Sequence, residues 1–291
     1  MTLSEAPSTV ALFAKHHPDA RAVLQRLVAA LDKRGITIVC DPTSAEILGC
    51  TGACARPEAT RRADMVVSVG GDGTLLATAR TVGPFRVPIL GINLGSLGFL
   101  TETHADEVES VLEAALDGRA PVDERKTLGV KRDHLHNREP EHIALNDVVI
   151  SNADLARLFS LSLLVDGDWV ADYRADGLIL ATPTGSTAYN LAAGGPLILP
   201  NVDALVATPI CPHSLSQRPL IFPGEARLTI VLPEGQRACN VQVTVDGQVG
   251  FTISPGERIT IFRAEHPILL VRPPGRSFFS VLRDKLSWGK L

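Results

Sequence analysis

Near residue 120 the hydrophobic pattern of this 291-residue chain changes period. Before that point strand-like and helix-like stretches alternate. Residues 9–15 are a short apolar run, and Val23, Leu24, Leu27, Val28 and Leu31 follow as one helical stripe that Gly35 closes. Residues 36–40, 64–69 and 87–92 read as further strands, and 105–116 as a helix with Val108, Val111, Leu112 and Ala115 on one face. Unbroken hydrophobicity over 64–69 suits a strand covered on both sides, so the alternation predicts a mainly parallel sheet wrapped by helices. From Thr127 to Val271 helical periodicity nearly vanishes, and short β-rich runs are separated by Gly, Pro, Asn and Asp. An all-β second domain is expected there. Past the Pro273-Pro274-Gly275 break, residues 278–286 again look amphipathic and helical. The expected division is a Rossmann-like α/β domain over 1–122, an all-β, sandwich-like domain over 123–274, and a tail over 275–291 that packs back on the first.

Composition removes several classes. With 45% hydrophobic and 21% charged residues the chain is not of the disordered type, and its length suits two cores. Lys and Arg number 28 against 32 Asp and Glu, a net charge of −4, which argues against a nucleic-acid partner. An anionic ligand must then be held by local geometry. No apolar run of about 18 residues suggests a membrane span, and the first residues lack a basic then apolar leader, so a cytoplasmic location is expected. Five cysteines, an odd count, favour reduced thiols; Cys50 and Cys54 have no second pair or nearby His to complete a zinc site.

Four segments carry possible chemistry. Gly70-Gly71-Asp72-Gly73-Thr74 follows the third strand and opens a helix. Glycines permit positive φ and close backbone approach, and a helix start aims N–H groups at an anion, so Gly70, Gly71, Gly73 and Thr74 form a candidate phosphate loop. Asp72 within it is a candidate proton acceptor or cation partner; the alternative is a helix cap. Neither a P-loop GxxxxGK[ST] nor a GxGxxG fingerprint occurs, and the chain has only six lysines. Gly91, Gly95 and Gly98 mark a possible second cradle, or a loop whose Leu94, Leu97 and Phe99 plug the core.

Asn146-Asp147 interrupts an apolar β-run, either as a ligand-reading pair or as turn residues at a strand end. Between Ala181 and Pro196 every residue except Tyr189, Asn190 and Leu191 is Gly, Ala, Ser, Thr or Pro. This ribbon offers hydroxyls and bare backbone around one ring, and Tyr189 can stack on a base while Asp176 upstream can hold an amide or hydroxyl. Asp246-Gly247 in Val245-Asp246-Gly247-Gln248 reads first as a hairpin turn. No G-x-S-x-G elbow supports nucleophilic hydrolysis.

Together, GGDGTLL at 70–76, GINLGSLGFLTE at 91–102, NDVVISN at 146–152, DGLILATPTGSTAYNLAAGGP at 176–196 and VDGQ at 245–248 resemble the NAD kinase family, in family order. GGDGT alone is shared with lipid kinases; the ribbon with its upstream Asn-Asp is far more specific. The resemblance implies phosphorylation of the adenosine-ribose 2′-hydroxyl of NAD to give NADP, with ATP or polyphosphate as donor and Mg²⁺ or another divalent ion. That ion is carried by the donor rather than by an assigned protein site. It further implies a homodimer or homotetramer. By position, Asp72 is the base, with Gly73 adjoining; Asn146 and Asp147 hold ribose and adenine, and Asp176 the nicotinamide side. Thr187, Ala188, Tyr189, Asn190, Leu191 and Ala192 bracket the dinucleotide, Gln248 holds the VDGQ position, and Arg157 and Arg174 lie toward the pyrophosphate. A lipid kinase with the same loop, or a dinucleotide-binding regulator without catalysis, are the competing readings.

Overall fold

The computed structural model describes residues 2, 6–133, 142–152, 159–234 and 241–287. They form two compact units, one of Met1–Glu124 with Pro267–Leu291 and one of Arg125–His266.

The first unit is built on a seven-stranded sheet in the order Thr37–Cys40, Thr9–Ala14, Met65–Gly70, Ile89–Asn93, Ile268–Val271, Val122–Arg125, with the short Thr103–His104 beside Ile89–Asn93. Pairings from Thr37–Cys40 through Ile268–Val271 are all parallel. Every residue of Met65–Gly70 is buried, as its unbroken apolar run requires. On Ala20–Asp32 the stripe Val23, Leu24, Leu27 and Leu31 turns inward to join Val10, Leu12, Met65 and Val111 in one core. Two helices that periodicity leaves out, Pro42–Leu48 and Arg56–Arg62, are each a single short stretch with proline in the first turn. Asp41 fixes them both: its carboxylate accepts from Ser44 N at 2.8 Å and from Arg56 Nε at 2.8 Å.

One difference from expectation concerns the chain's return. The run 268–271 does not extend the antiparallel β region; it enters the parallel sheet next to Ile89–Asn93, so the return begins at Pro267 and not after Gly275. A four-residue apolar run carries no period that separates the two kinds of strand. The returning segment is fastened by ions. Arg272 donates through Nε and a terminal nitrogen to the buried Glu102 carboxylate (3.0–3.2 Å) and through the other nitrogen to Asp123 at 3.2 Å. Arg276 donates to the Glu102 carbonyl and, at 3.1 Å, to Glu107. The helix Phe278–Leu286 then starts with a capping box between Ser277 and Ser280 and buries Val281 and Leu282.

The second unit consists of two six-stranded sheets whose strand pairings are antiparallel. Leu161, Leu163, Ile230 and Ile259 from one pack with Val148, Ile150, Leu178, Leu180 and Val243 from the other in a single core, which makes a sandwich. The opposite face of the second sheet, at Val149, Ile179 and Val206, is covered by Ile198, two residues past the small-residue ribbon. Burial on both sides explains why Val148-Val149-Ile150 and Leu178-Ile179-Leu180 are continuous instead of alternating. Among the described residues, no helix is long and apolar enough to cross a membrane.

Arg272→Ala leaves Glu102 buried without its cation, which should cost the first unit about 3–5 kcal/mol. A urea midpoint unchanged from wild type, followed by circular dichroism, would show the ion cluster to be energetically idle.

Candidate functional site

In the first unit the strand Thr9–Ala14 has Thr37–Cys40 on one side and Met65–Gly70 on the other. Successive crossovers therefore leave in opposite directions, and the crevice at the carboxyl ends of those strands is where open α/β sheets bind ligands. A cavity of about 330 Å³ lies there, lined by Lys15, His17, Gly70, Gly71, Asp72, Asn93, Leu94, Gly95, Ser96, Gly98 and Lys285. Each of the three adjacent strands delivers its loop to this spot. The first glycine segment and the second are thus neighbours; of the expected core plugs Leu94 and Leu97 are buried and Phe99 is half-buried.

The glycines serve space and not unusual dihedrals. Among the described residues Gly70, Gly71 and Gly73 are absent from the positive-φ set, and Gly71 is extended at φ −143°. A Cβ on Gly71 would meet nothing and project into open space, whereas one on Gly98 would strike the Asp72 carboxylate and the Thr101 hydroxyl. The helix begins at Asp72, with Gly71 at its cap and no capping bond from the Asp72 side chain. Instead, the Asp72 carboxylate reaches across to the second segment. Its Oδ1 accepts from Leu100 N (3.2 Å), Thr101 N (2.9 Å) and Thr101 Oγ1 (2.8 Å), and its Oδ2 from Phe99 N (2.9 Å). Asn93 extends the network by donating to Thr101 Oγ1 at 2.8 Å and accepting from Gly95 N at 2.8 Å. A carboxylate offers about four acceptor sites over two oxygens, so Oδ2, which accepts from Phe99 N, retains capacity toward the cavity.

The second unit holds a cavity of about 360 Å³ lined by Asn146, Asp147, Val149, Ser151, Ala188, Tyr189, Thr244, Asp246 and Gly247. Asn146 and Asp147 enter it at the start of the strand Asp147–Asn152, and Tyr189, 47% exposed, projects from the helical turn Tyr189–Ala192. The ribbon is pinned to the Asn146 segment. Thr182 N donates to Asn146 O at 2.9 Å, Thr182 Oγ1 to Leu145 O at 2.7 Å, and a Cβ on Gly185 would collide with the Asn146 backbone. Its hydroxyls are spent internally, for Ser186 Oγ donates to Pro183 O at 2.6 Å and accepts from Ile198 N at 3.0 Å.

Asp246 is the residue that sequence reasoning underrated. It does sit in a hairpin turn, with φ of 52° at Asp246 and 63° at Gly247. Its carboxylate also accepts from three backbone N–H groups, those of Leu145 (3.0 Å), Asn146 (2.7 Å) and Asp147 (3.2 Å), and so sets where the pair stands. The only signal available was an Asp-Gly pair directly after the strand Val241–Val245, which is itself a favoured hairpin turn. Burial, and then the Asp246 charge, pushes the Asp147 carboxyl up to about 7. Near neutral pH Asp147 can therefore donate a hydrogen bond as an acid or accept one as a carboxylate.

Other expected residues stand apart from these cavities. Asn190 is fully buried; its amide donates to Ser186 O and Pro196 O and its carbonyl accepts from Thr208 Oγ1, so it braces the ribbon. Thr187, Leu191 and Ala192 share the ribbon without lining the cavity, and Arg174, Asp176 and Gln248 are exposed beyond its lining residues. Arg157 lies outside the described residues. Lys15, His17 and Lys285 were not anticipated, since single cations far apart in sequence leave no pattern.

A doubly wound sheet with a glycine-lined cavity at its carboxyl ends, and a sandwich with a polar, ring-bearing cavity, suit a nucleotide-dependent phosphotransferase. Residues 10–120 match the family profile for the ATP-NAD kinase N-terminal domain, and residues 145–273 that for the ATP-NAD kinase C-terminal domain. The chain is 46% identical to the NAD kinase of Geotalea daltonii over 97% of its length and 99% of that protein's. It is 41% identical to the NAD kinase of Solibacter usitatus over 93% and 94%. Among solved structures it resembles yeast NADH kinase complexed with NADH (TM-score 0.89, 27% identity, 99% of this chain and 90% of that one). It also resembles an NAD kinase from Archaeoglobus fulgidus in complex with ATP (TM-score 0.77, 26% identity, 95% and 99%). The chain belongs to the NAD kinase family, and NAD kinase activity is its enzymatic function.

Asp147 binds more protons folded than unfolded between its ordinary value of 3.8 and about 7, so its contribution to stability falls as pH rises through that window and is level above it. Asp147→Asn should flatten this stretch of the curve of thermal midpoint against pH and raise the midpoint at about pH 8. A variant curve parallel to wild type would refute the shifted carboxyl.

Proposed function

We propose that this chain transfers the terminal phosphoryl group of ATP to the 2′-hydroxyl of the adenosine ribose of NAD, with the second unit binding NAD and the first unit the donor. The observation that carries the mechanism is the fixed Asp72 carboxylate at the glycine-lined cavity, oriented by donors from Phe99, Leu100 and Thr101. A ribose hydroxyl is a poor nucleophile at neutral pH, so its proton must leave as the new P–O bond forms. Asp72 Oδ2 accepts that proton, while Oδ1 keeps the carboxylate aimed through its three bonds to Leu100 and Thr101. Backbone N–H groups at the start of the helix Asp72–Val82 stabilise charge on the transferring phosphoryl oxygens.

A divalent cation fits this site as part of the donor. Asp72 is the single carboxylate lining the cavity, and among the described residues no group of three or more His, Cys, Asp or Glu side chains suits a metal. Carried by ATP, a divalent ion would supply positive charge against the phosphates. Asn146 and Asp147 take the ribose and adenine edge, and Tyr189 stacks on a ring of the dinucleotide. Assembly into a homodimer or homotetramer is supported by Leu215, 94% exposed, and Ile221, 56% exposed, at and before the edge strand Leu220–Pro223. A cytoplasmic location is supported by the free thiols of Cys40, Cys50, Cys54 and Cys211.

Incubation with ATP, Mg²⁺ and NAD, read by a dehydrogenase that accepts only NADP, tests the reaction. Asp72→Asn should lower kcat by roughly 10²–10⁴ while the protein stays folded by circular dichroism. Turnover near wild type in that variant would remove Asp72 from the role of base.

A further inference from the structure

Two of the six lysines in the chain, 270 residues apart, line the same cavity. Lys15 follows the strand Thr9–Ala14, and Lys285 stands in the last turn of the helix Phe278–Leu286. Both side chains are exposed, and among the described residues neither ammonium has a carboxylate within ion-pair distance. By contrast Lys126 pairs with Asp203 at 2.7 Å, and His17, which also lines the cavity, lies 3.6 Å from Asp19. Asp72, the cavity's one carboxylate, is occupied by donors from the 99–101 segment. The remaining lining is glycine, Asn93, Leu94 and Ser96, beside the start of an eleven-residue helix. Lysines without partners, bare backbone and a helix start all favour negative charge in one place.

The placement of Lys285 is firm. Its helix is held by Val281 and Leu282 in the core, by the Ser277–Ser280 box, and upstream by the Arg272 and Arg276 contacts to Glu102 and Glu107. Resting on the kinase reading above, we infer that Lys15 and Lys285 are the cationic ligands of the donor's polyphosphate tail. The C-terminal helix is then a substrate-binding element and not only a structural return. A nucleoside triphosphate carries more charge per phosphate chain than the pyrophosphate of NAD, so two lysines serve the donor better than the acceptor.

The test uses the full chain with Lys15→Gln, Lys285→Gln, the double variant, and Lys33→Gln as a control of equal charge change on an exposed helix end. Each cavity variant should raise KM for ATP about tenfold, the effect of losing one charge-assisted hydrogen bond, with KM for NAD unchanged. The double variant should lose more, and Lys33→Gln should behave as wild type. Independently of turnover, calorimetric titration with inorganic tripolyphosphate should show binding by wild type that the double variant lacks. An unchanged KM for ATP, a rise in KM for NAD instead, or equal tripolyphosphate binding by wild type and double variant would each overturn the inference. If wild type bound tripolyphosphate through these lysines yet made no NADP, the cation site would stand and the kinase reading would fall.

Discussion

The carboxylate of Asp72 is the contact on which the first unit's site depends. It belongs to one glycine segment, yet it accepts its hydrogen bonds from the other, from Phe99, Leu100 and Thr101. Two loops from neighbouring strands are thereby held as one surface, and Gly98 has no side chain because that carboxylate occupies the space. In the second unit Asp246 plays the same physical part. One carboxylate at a hairpin tip collects three N–H groups of the Leu145–Asp147 segment and fixes the polar pair at the wall of its cavity. In both units a short acidic side chain does between segments what a strand ladder does within a sheet: it satisfies backbone donors that would otherwise face a cavity.

Much of this was legible in the sequence because periodicity and composition report burial directly. The stripe on Ala20–Asp32, the buried strand Met65–Gly70 and the terminal helix Phe278–Leu286 follow from the spacing of apolar residues. Motif residues Asp72, Asn146, Asp147, Ala188 and Tyr189 do line cavities, since each interrupts a pattern that packing alone would not break. What stayed hidden was whatever depends on residues distant in the chain. Asn190 was expected in the segment that brackets the dinucleotide; that it also braces the ribbon could not be read, because its partners Ser186, Pro196 and Thr208 become neighbours only when the ribbon folds over the sheet. The helices Pro42–Leu48 and Arg56–Arg62 are too short to show a period and are specified by Asp41 instead.

The acidic balance of the chain also takes on meaning. A protein of net charge −4 can hold an anion if a few of its cations are kept out of ion pairs and stand near a helix start. Arg272, Arg276 and Arg26 are committed to Glu102, Glu107 and Glu109, so the arginine-rich positive inventory of the first unit is largely structural.

The strand Ile268–Val271 lies inside the first sheet, beside Ile89–Asn93 and ahead of Val122–Arg125, although it is made last. During synthesis the first 124 residues therefore leave the ribosome with a gap in their sheet: Thr103–His104 already pairs with Ile92 and Asn93, but the edge at Ile89 and Leu90 stays open while the whole second unit is produced. The second unit is in effect an insertion that can close its own sandwich early, because all of its strands lie between Arg125 and His266. In chain order every strand of the second unit thus precedes the strand that completes the first sheet, and the helix Phe278–Leu286, which brings Lys285 to the glycine-lined cavity, follows it.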